Sequence, residues 1–143
     1  MDKILFIGND KKYNIKFSLD LLKKKNYDIV IVNTINNLNK NLKYHYKIII
    51  IDIEFDNRNG DNICKNLRYN FRKVPIIGIY SYYDRNSTNK KYNLSKFNNV
   101  VSLPIINWDE VFQECYLPCT WNKKKWDEWM SKELNLCTLK MPT

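Results

Sequence analysis

An aspartate ends the most apolar segment of the chain. Residues 48–51 are four consecutive isoleucines, and Asp52 follows them directly. A polar stretch and Gly60 come next, ahead of a segment with the pattern of a helix. The Asp52 carboxylate has two interpretations. It accepts hydrogen bonds from backbone N–H groups at the end of a buried strand, or it is a reactive group presented at the carboxyl end of that strand.

Other residues stand at the ends of apolar runs in the same way. They are Gly8, Asn9 and Asp10 after the run KILFI, Tyr80 and Ser81 at the end of the run VPIIGIYS, and Leu103 at the end of the run NVVSL. If these runs are strands of one parallel sheet, their carboxyl ends meet at the same edge. We therefore expect these residues to form one pocket with Asp52.

The spacing of apolar residues predicts five strands that alternate with helices. The strands are predicted over 3–7, 28–32, 47–52, 74–80 and 99–103, and the main helices over 13–25, 61–71 and 108–116. Weaker helical patterns cover 36–42 and 92–97. Alternation of this kind is typical of a parallel sheet with helices on both faces. The predicted fold class is therefore α/β, a doubly wound five-stranded parallel sheet.

Length and cysteine content limit the classes of function. With 143 residues, the chain is long enough for one domain with a hydrophobic core. No apolar run approaches the ~20 residues that span a bilayer, and no signal-peptide pattern precedes KILFI. We therefore expect free thiols and a cytoplasmic protein. A zinc site of Cys115, Cys119, Cys137 and His45 is disfavoured, because the chain has no C-x-x-C spacing and a single histidine.

The net charge of +9 has two interpretations. Lys, Asn, Ile, Tyr and Phe are abundant while Gly and Pro are scarce, which is the bias of an AT-rich genome and raises the lysine content throughout. A basic chain can also bind nucleic acid. Because no nucleic-acid-binding motif is present, nucleic acid is the less favoured partner, and a basic nucleic-acid-associated domain is kept as an alternative function.

The order of these segments resembles the receiver domain of two-component response regulators. IIIIDIEFDNRNG resembles the family's strand, phosphoacceptor aspartate, loop and glycine, with Asp52 and Gly60 at the family's spacing. VPIIGIYS resembles its fourth strand, and VVSLPI its fifth. The resemblance implies a flavodoxin-like (CheY-like) fold with strand order 2-1-3-4-5. It divides the chain into a receiver-like domain over 1–118 and a C-terminal helical extension over 119–143.

The chain departs from the receiver pattern where the chemistry takes place. The resemblance puts Asp52 at the phosphoacceptor position. Two acids after the first strand normally hold Mg²⁺, and Gly8 and Asn9 stand at their positions. Leu103 replaces the lysine that pairs with the phosphoryl group. Aspartates at positions 8 and 9 and a lysine at 103 are therefore expected to recover Mg²⁺ binding.

The same departures weaken phosphoryl transfer to Asp52. Mg²⁺ and a lysine normally offset the negative charge that collects on the phosphoryl oxygens. An amide oxygen is a weaker Mg²⁺ ligand than a carboxylate, and leucine carries no charge. An alternative metal site of Asp10, Asp52 and Glu54 stays open, although Asp10 is also a candidate N-cap of the first helix. No cofactor is expected, and Mg²⁺ is the one candidate.

Tyr80 stands where receivers carry the hydroxyl residue that reports phosphorylation, with Ser81 beside it. Without a lysine at position 103, there is little reason for this side chain to change its rotamer on phosphorylation. We interpret Tyr80 as a partly buried aromatic at the edge of the sheet.

The tail carries a group of tryptophans outside the resemblance. Trp126, Trp129 and Met130 share one face of a helix predicted over 122–134. That face packs on the domain or binds a protein partner, since Trp and Met are favoured at interfaces. Trp108, at the start of the fifth predicted helix, is a further candidate for partner contacts.

The sequence therefore predicts a stand-alone pseudo-receiver that binds another protein, such as a histidine kinase or another signalling protein, and that is not an enzyme. The first alternative is a phosphorylatable single-domain response regulator with Asp52 as the phosphoacceptor. The second is the nucleic-acid-associated domain.

Overall fold

Five parallel strands form one sheet in the order β2-β1-β3-β4-β5. The structure is a computed structural model that describes residues 1–81 and 93–115. The strands are β1 Asp2–Ile7, β2 Tyr27–Val32, β3 Ile48–Asp52, β4 Ile76–Ser81 and β5 Asn99–Leu103. The predicted fold class and strand order are confirmed.

Helices cover both faces of this sheet. They are α1 Tyr13–Lys23, the short α2 Phe55–Arg58, α3 Gly60–Asn70 and α4 Trp108–Cys115. One apolar cluster lies between the sheet and α3, and a second lies between the sheet and the pair α1 and α4. Among the described residues, no helix is long and apolar enough to cross a membrane.

β3 occupies the centre of the sheet because its side chains are apolar on both faces. All five of its residues are buried, and its isoleucines alternate between the two apolar clusters. A strand between two parallel neighbours with helices above and below offers no position to water. The position of Asp52 at its end is therefore set by the burial of the four isoleucines before it.

The segment between β2 and β3 differs from the predicted helix over 36–42. It forms two 3-10 turns, Ile35–Asn37 and Asn39–Asn41. The Asn41 side chain donates to the Asn37 carbonyl at 2.8 Å. Asparagine side chains compete in this way for backbone groups, which makes an asparagine-rich segment a poor α-helix.

The helix predicted over 92–97 is also wrong in its described part. Residues 93–97 form a turn, in which the Asn93 side-chain oxygen accepts hydrogen bonds from the Ser95 N–H at 3.1 Å and the Ser95 hydroxyl at 2.7 Å. Leu94 and Phe97 bury their side chains against the sheet. Residue 92 and the helix predicted over 122–134 lie outside the described residues.

Arg68 joins the end of α3 to the segments that begin β4 and β5. Its guanidinium donates to the carbonyl oxygens of Phe71, Val74 and Lys96 at 2.6–3.1 Å, and it contacts the side-chain oxygen of Asn98. Burial lowers the pKa of this guanidinium. The carbonyl oxygens take the place of a carboxylate in satisfying a partly buried cation.

Ser18 joins α1 to the segment between β5 and α4. Its hydroxyl accepts a hydrogen bond from the Ile105 N–H at 2.8 Å, and its carbonyl accepts one from the Trp108 indole N–H at 2.8 Å. Trp108 is 1% exposed. The prediction that Trp108 contacts a partner is therefore wrong, because its ring fills the core between α1, α4 and the sheet.

Candidate functional site

Asp52 lies at the carboxyl end of β3 and is only 4% exposed. Its Oδ1 accepts a hydrogen bond from the Glu54 backbone N–H at 3.0 Å. The strand end beside it is held by β1 and by β4, where Asp52 is in register with Ile79. Asp52 is thus a buried carboxylate that backbone N–H donation stabilises, as the first of its two interpretations requires.

The segment after Asp52, which includes the irregular turn α2, folds back on the strand end. Asp56 and Asn57 adopt positive φ angles of 54° and 57°, which Asn and Asp tolerate better than most residues. Gly60 then passes so close that a Cβ on it would lie 2.5 Å from the Ile53 Cα and 2.6 Å from the Asp52 carbonyl oxygen. Glycine is therefore required at position 60 for the close approach of two backbone segments.

Gly8 packs directly against Asp52. A Cβ on Gly8 would lie 2.9 Å from the Asp52 Cβ and 3.1 Å from the Phe6 ring. The Gly8 N–H donates to the Val32 carbonyl at 3.0 Å, which holds the end of β1 against β2. The described structure therefore leaves no room at position 8 for the first acid of the receiver pattern.

The Asn9 and Asp10 side chains accept hydrogen bonds from nearby residues. Asn9 is exposed, and its side-chain oxygen accepts a hydrogen bond from the Lys11 N–H at 3.1 Å. Asp10 accepts one from the Asn33 side chain at 3.3 Å. The N-cap of α1 is Lys12, which makes no side-chain cap bond, so the interpretation of Asp10 as the N-cap is wrong.

The donor set around Asp52 does not fit a Mg²⁺ site. Mg²⁺ requires near-octahedral oxygen ligation and usually takes one or two carboxylates. Within residues 1–81 and 93–115, no group of three His, Cys, Asp or Glu side chains is arranged to hold a metal ion. The alternative set of Asp10, Asp52 and Glu54 is therefore not brought together as a ligand group.

The other receiver positions are filled by buried side chains. Leu103 is 7% exposed and belongs to the apolar cluster under α1 and α4. Ser81 is paired in register with Leu103 at the ends of β4 and β5. Tyr80 is 5% exposed and lies in the opposite cluster. Tyr80 lies at the carboxyl end of β4, as expected, but it is buried more fully than the partly buried aromatic that the sequence predicted.

The remaining predicted contacts are only partly described. Trp126, Trp129 and Met130 lie outside the described residues, as do Cys119 and Cys137 of the disfavoured zinc set. Cys115 is buried, its thiol donates to the Val111 carbonyl at 3.3 Å, and burial raises its pKa to about 12. A thiol in that state is a poor metal ligand at neutral pH.

Sequence reasoning missed two polar groups and one surface near the site. Ser18 lies among Ile15, Leu19 and Leu22 on the buried face of α1, and a polar residue at that spacing was the available signal. Asp61, at the start of α3, accepts a hydrogen bond from the Asn93 N–H at 3.1 Å, a contact that no sequence pattern announces.

The missed surface consists of exposed apolar side chains. Tyr13 is 81% exposed and Phe17 44% exposed on α1, and Ile106 is 72% exposed after β5. Phe17 and Ile106 are the sequence neighbours of Ser18 and Ile105, which are hydrogen-bonded to each other. Tyr13 begins α1 just after the end of β1. We name Tyr13, Phe17 and Ile106 the α1 surface.

Solved structures with the same fold include response-regulator receivers. A response regulator from Thermotoga maritima in complex with Mg²⁺ and BeF shares 19% identity over 80% of this chain and 96% of that chain, with a TM-score of 0.60. A CheY-like receiver domain from Methylobacillus flagellatus shares 17% identity over 80% of this chain and 98% of that one, with a TM-score of 0.61.

A third solved structure is a histidine kinase in complex with a response regulator. Its matching chain shares 20% identity with this chain over 80% of this chain and 95% of the matching chain, with a TM-score of 0.57. The sequence matches no protein-family model and no curated protein. The likeness establishes the receiver fold for this chain.

Proposed function

We propose that this chain is a receiver-like signalling module that acts by binding another protein, and that Asp52 is not phosphorylated by the Mg²⁺-dependent route. The observation that carries the proposal is the packing of Gly8 against Asp52, with a hypothetical Cβ only 2.9 Å from the Asp52 Cβ. That contact occupies the space in which the receiver pattern has a metal-binding acid.

Electrostatics supports the same conclusion. A phosphoryl group on Asp52 would add negative charge at a residue that is 4% exposed. Receivers offset such charge with Mg²⁺ and a lysine, whereas the position of that lysine is Leu103 here, in an apolar cluster. Loss of one such stabilising group commonly costs several kcal/mol in the transition state. Asp52 in this proposal is a structural carboxylate.

The α1 surface supports protein binding. Single exposed apolar residues are normal, whereas a contiguous exposed apolar patch marks an interaction surface, and we propose that these three residues form one. This surface lies at the carboxyl edge of the sheet, as Asp52 does, because α1 begins just after β1 and Ile106 follows β5. A receiver fold bound to a histidine kinase is known among the solved structures. We propose a partner of that class, or another signalling protein, in the cytoplasm.

Intact mass after incubation with acetyl phosphate and Mg²⁺ tests the role of Asp52. We expect no stoichiometric gain of a phosphoryl group in the unmodified protein. The control is Asp52→Asn, which keeps the side-chain volume and removes the nucleophile. A gain of one phosphoryl group that Asp52→Asn abolishes would instead identify a phosphorylatable regulator and refute this part of the proposal.

Site-specific photo-crosslinking tests the α1 surface. A benzoylphenylalanine is placed at Phe17 or Ile106, and the matched control is the same residue at Tyr69, which is 73% exposed on α3. We expect one crosslinked signalling protein from the two α1-surface positions and none from position 69. Equal crosslinking from all three positions would contradict the proposed surface while leaving the phosphorylation result unaffected.

A further inference from the structure

A second concave site lies at the amino ends of the strands. It is a pocket of about 480 Å³ whose lining comes from residues 1–3 at the start of β1 and residues 43–47 before β3. β3 runs from Ile48, next to this pocket, to Asp52, a span of roughly 13 Å at the usual rise of a strand. The pocket is therefore separate from the candidate site around Asp52.

Lysine ammonium groups lie over tyrosine rings in this pocket. The Nζ atoms of Lys3 and Lys43 lie 5.1 Å and 5.3 Å from the centroid of the Tyr44 ring. The Nζ atom of Lys47 lies 5.7 Å from the centroid of the Tyr27 ring. Tyr44 is 37% exposed. Cation–π contacts thus hold two positive charges beside the accessible Tyr44 ring, while the third lysine of the pocket, Lys47, contacts a different ring.

The carboxylates near these lysines leave a positive excess. Lys3 pairs with Asp28 at 2.5 Å and Lys47 with Asp2 at 3.4 Å, and all four side chains are 35–62% exposed. Ion pairs at that exposure are weak, so an anionic ligand can compete for the ammonium groups. Lys43 makes no ion pair with a carboxylate of the described residues. Within residues 1–81 and 93–115, the ion pairs of these three lysines involve two carboxylates, Asp2 and Asp28.

We propose that this pocket binds single-stranded nucleic acid: the Lys3 and Lys43 ammonium groups leave the Tyr44 ring for backbone phosphates, and a base stacks on the ring in their place. Positive charge beside an exposed aromatic ring is the chemistry that recognises single strands, whose bases are accessible. The pocket volume is in the range of sites that take a ligand the size of a nucleotide. The net charge of +9 adds a general attraction for a polyanion. The proposed function at Asp52 and the α1 surface is independent of this site.

Fluorescence anisotropy with a labelled twelve-nucleotide uridine oligomer tests the proposal. Lys43→Ala is expected to weaken binding about fivefold and to make the slope of log K against log salt shallower by about 0.7, the value for one lost phosphate contact on a single strand. Tyr44→Leu keeps an apolar side chain but removes the stacking surface, and is expected to weaken binding at least about fivefold. Circular dichroism checks that each variant is folded.

The matched control is Lys16→Ala. Lys16 is an exposed lysine in the first turn of α1, which begins at the other edge of the sheet. Its loss removes the same charge and is expected to change affinity less than twofold. Equal weakening by Lys16→Ala and Lys43→Ala would show diffuse binding by net charge and overturn the proposal.

Competition experiments with three compounds test the alternative ligands of this pocket. Uridine monophosphate, a duplex of the same length and inorganic polyphosphate are each titrated against the labelled oligomer. We expect all three to compete at least tenfold more weakly than the unlabelled oligomer. Equal competition by the mononucleotide, the duplex or polyphosphate would respectively identify a free nucleotide, a duplex backbone or any polyanion as the ligand, and each result would overturn the proposal.

Discussion

The contact between Gly8 and Asp52 predicts that the smallest possible side chain at position 8 destabilises the protein. In Gly8→Ala, the new methyl group would lie 2.9 Å from the Asp52 Cβ and 3.1 Å and 3.2 Å from two atoms of the Phe6 ring. No glycine among the described residues has a positive φ. The expected effect is therefore steric and does not arise from backbone strain.

Two opposing terms set the size of this effect. At a position whose backbone conformation any residue can adopt, Gly→Ala stabilises by about 0.4–1 kcal/mol because the unfolded chain loses freedom. Overpacking of a well-packed core costs about 1–3 kcal/mol. The Asp52 Cβ belongs to the central strand and cannot move away freely, so the steric term should exceed the first. We expect a net loss of about 1–2 kcal/mol in the free energy of unfolding.

Urea unfolding of a double-mutant cycle measures the contact. At an m value of about 2 kcal/mol/M, Gly8→Ala should lower the midpoint by about 0.5–1 M. Asp52→Gly removes the Cβ that the new methyl group meets, whereas Asp52→Ala removes the carboxylate and keeps that Cβ. Gly8→Ala should therefore cost less in the Asp52→Gly background than in the Asp52→Ala background.

Two results would refute this reasoning. A neutral or stabilising Gly8→Ala would mean that the ends of β1 and β3 separate easily. An equal loss in the Asp52→Gly and Asp52→Ala backgrounds would mean that the Phe6 ring, and not Asp52, limits the space at position 8. The first result would remove the packing argument against a metal-binding acid at this position, and the second would show that the argument does not depend on the contact with Asp52.

Two further predictions concern buried polar groups. Ser18→Ala should lower the free energy of unfolding by about 1–3 kcal/mol, because the buried Ile105 N–H loses its acceptor, and urea unfolding with Lys16→Ala as an exposed control on the same helix measures it. Burial raises the pKa values of Cys64 and Cys115 to about 12, so both thiols should stay unlabelled by iodoacetamide at pH 8 in the folded protein and react in urea, as read by peptide mapping. Because the unfolded thiols ionise near pH 9 and the folded ones do not, the stabilising contribution of these two groups should be complete below pH 9 and decrease from pH 9 to 12. A midpoint that is equally pH-dependent in a double Cys→Ala variant would contradict the assignment to these thiols.

The sheet could be predicted from the sequence because its signal is strong at every strand. The run of isoleucines in β3 is apolar on both faces, which only a central parallel strand requires. β5 begins and ends at the predicted residues, Asn99 and Leu103. Helical segments were harder to predict where side chains compete with the helix for backbone hydrogen bonds, as in the asparagine-rich turns over 35–41.

The interior of the site could not be predicted, because it depends on distances between segments that are far apart in sequence. Gly8 and Asp52 are separated by more than forty residues, and no local pattern shows that their backbones approach so closely. Trp108 was misread for a related reason. A tryptophan at a helix start suits an interface or a core equally well, and the bond to the Ser18 carbonyl that places it in the core is a tertiary contact.

The residues that depart from the receiver pattern are packed into the fold. Restoring the receiver residues is therefore not expected to recover Mg²⁺ binding directly. Gly8 lets the end of β1 approach β3, and Leu103 fills the apolar cluster under α1 and α4. An aspartate at position 8 would add both volume and a second carboxylate beside Asp52, and a lysine at 103 would bring an ammonium group into apolar surroundings. The substitutions that restore the pattern on paper should therefore first destabilise the fold. Asn9→Asp is the exception, since Asn9 is exposed and its side-chain bond to Lys11 is one that a carboxylate can also accept. The close packing of the end of β1 against β3 thus excludes a metal-binding acid at position 8. Mg²⁺ binding would return only if those strand ends moved apart.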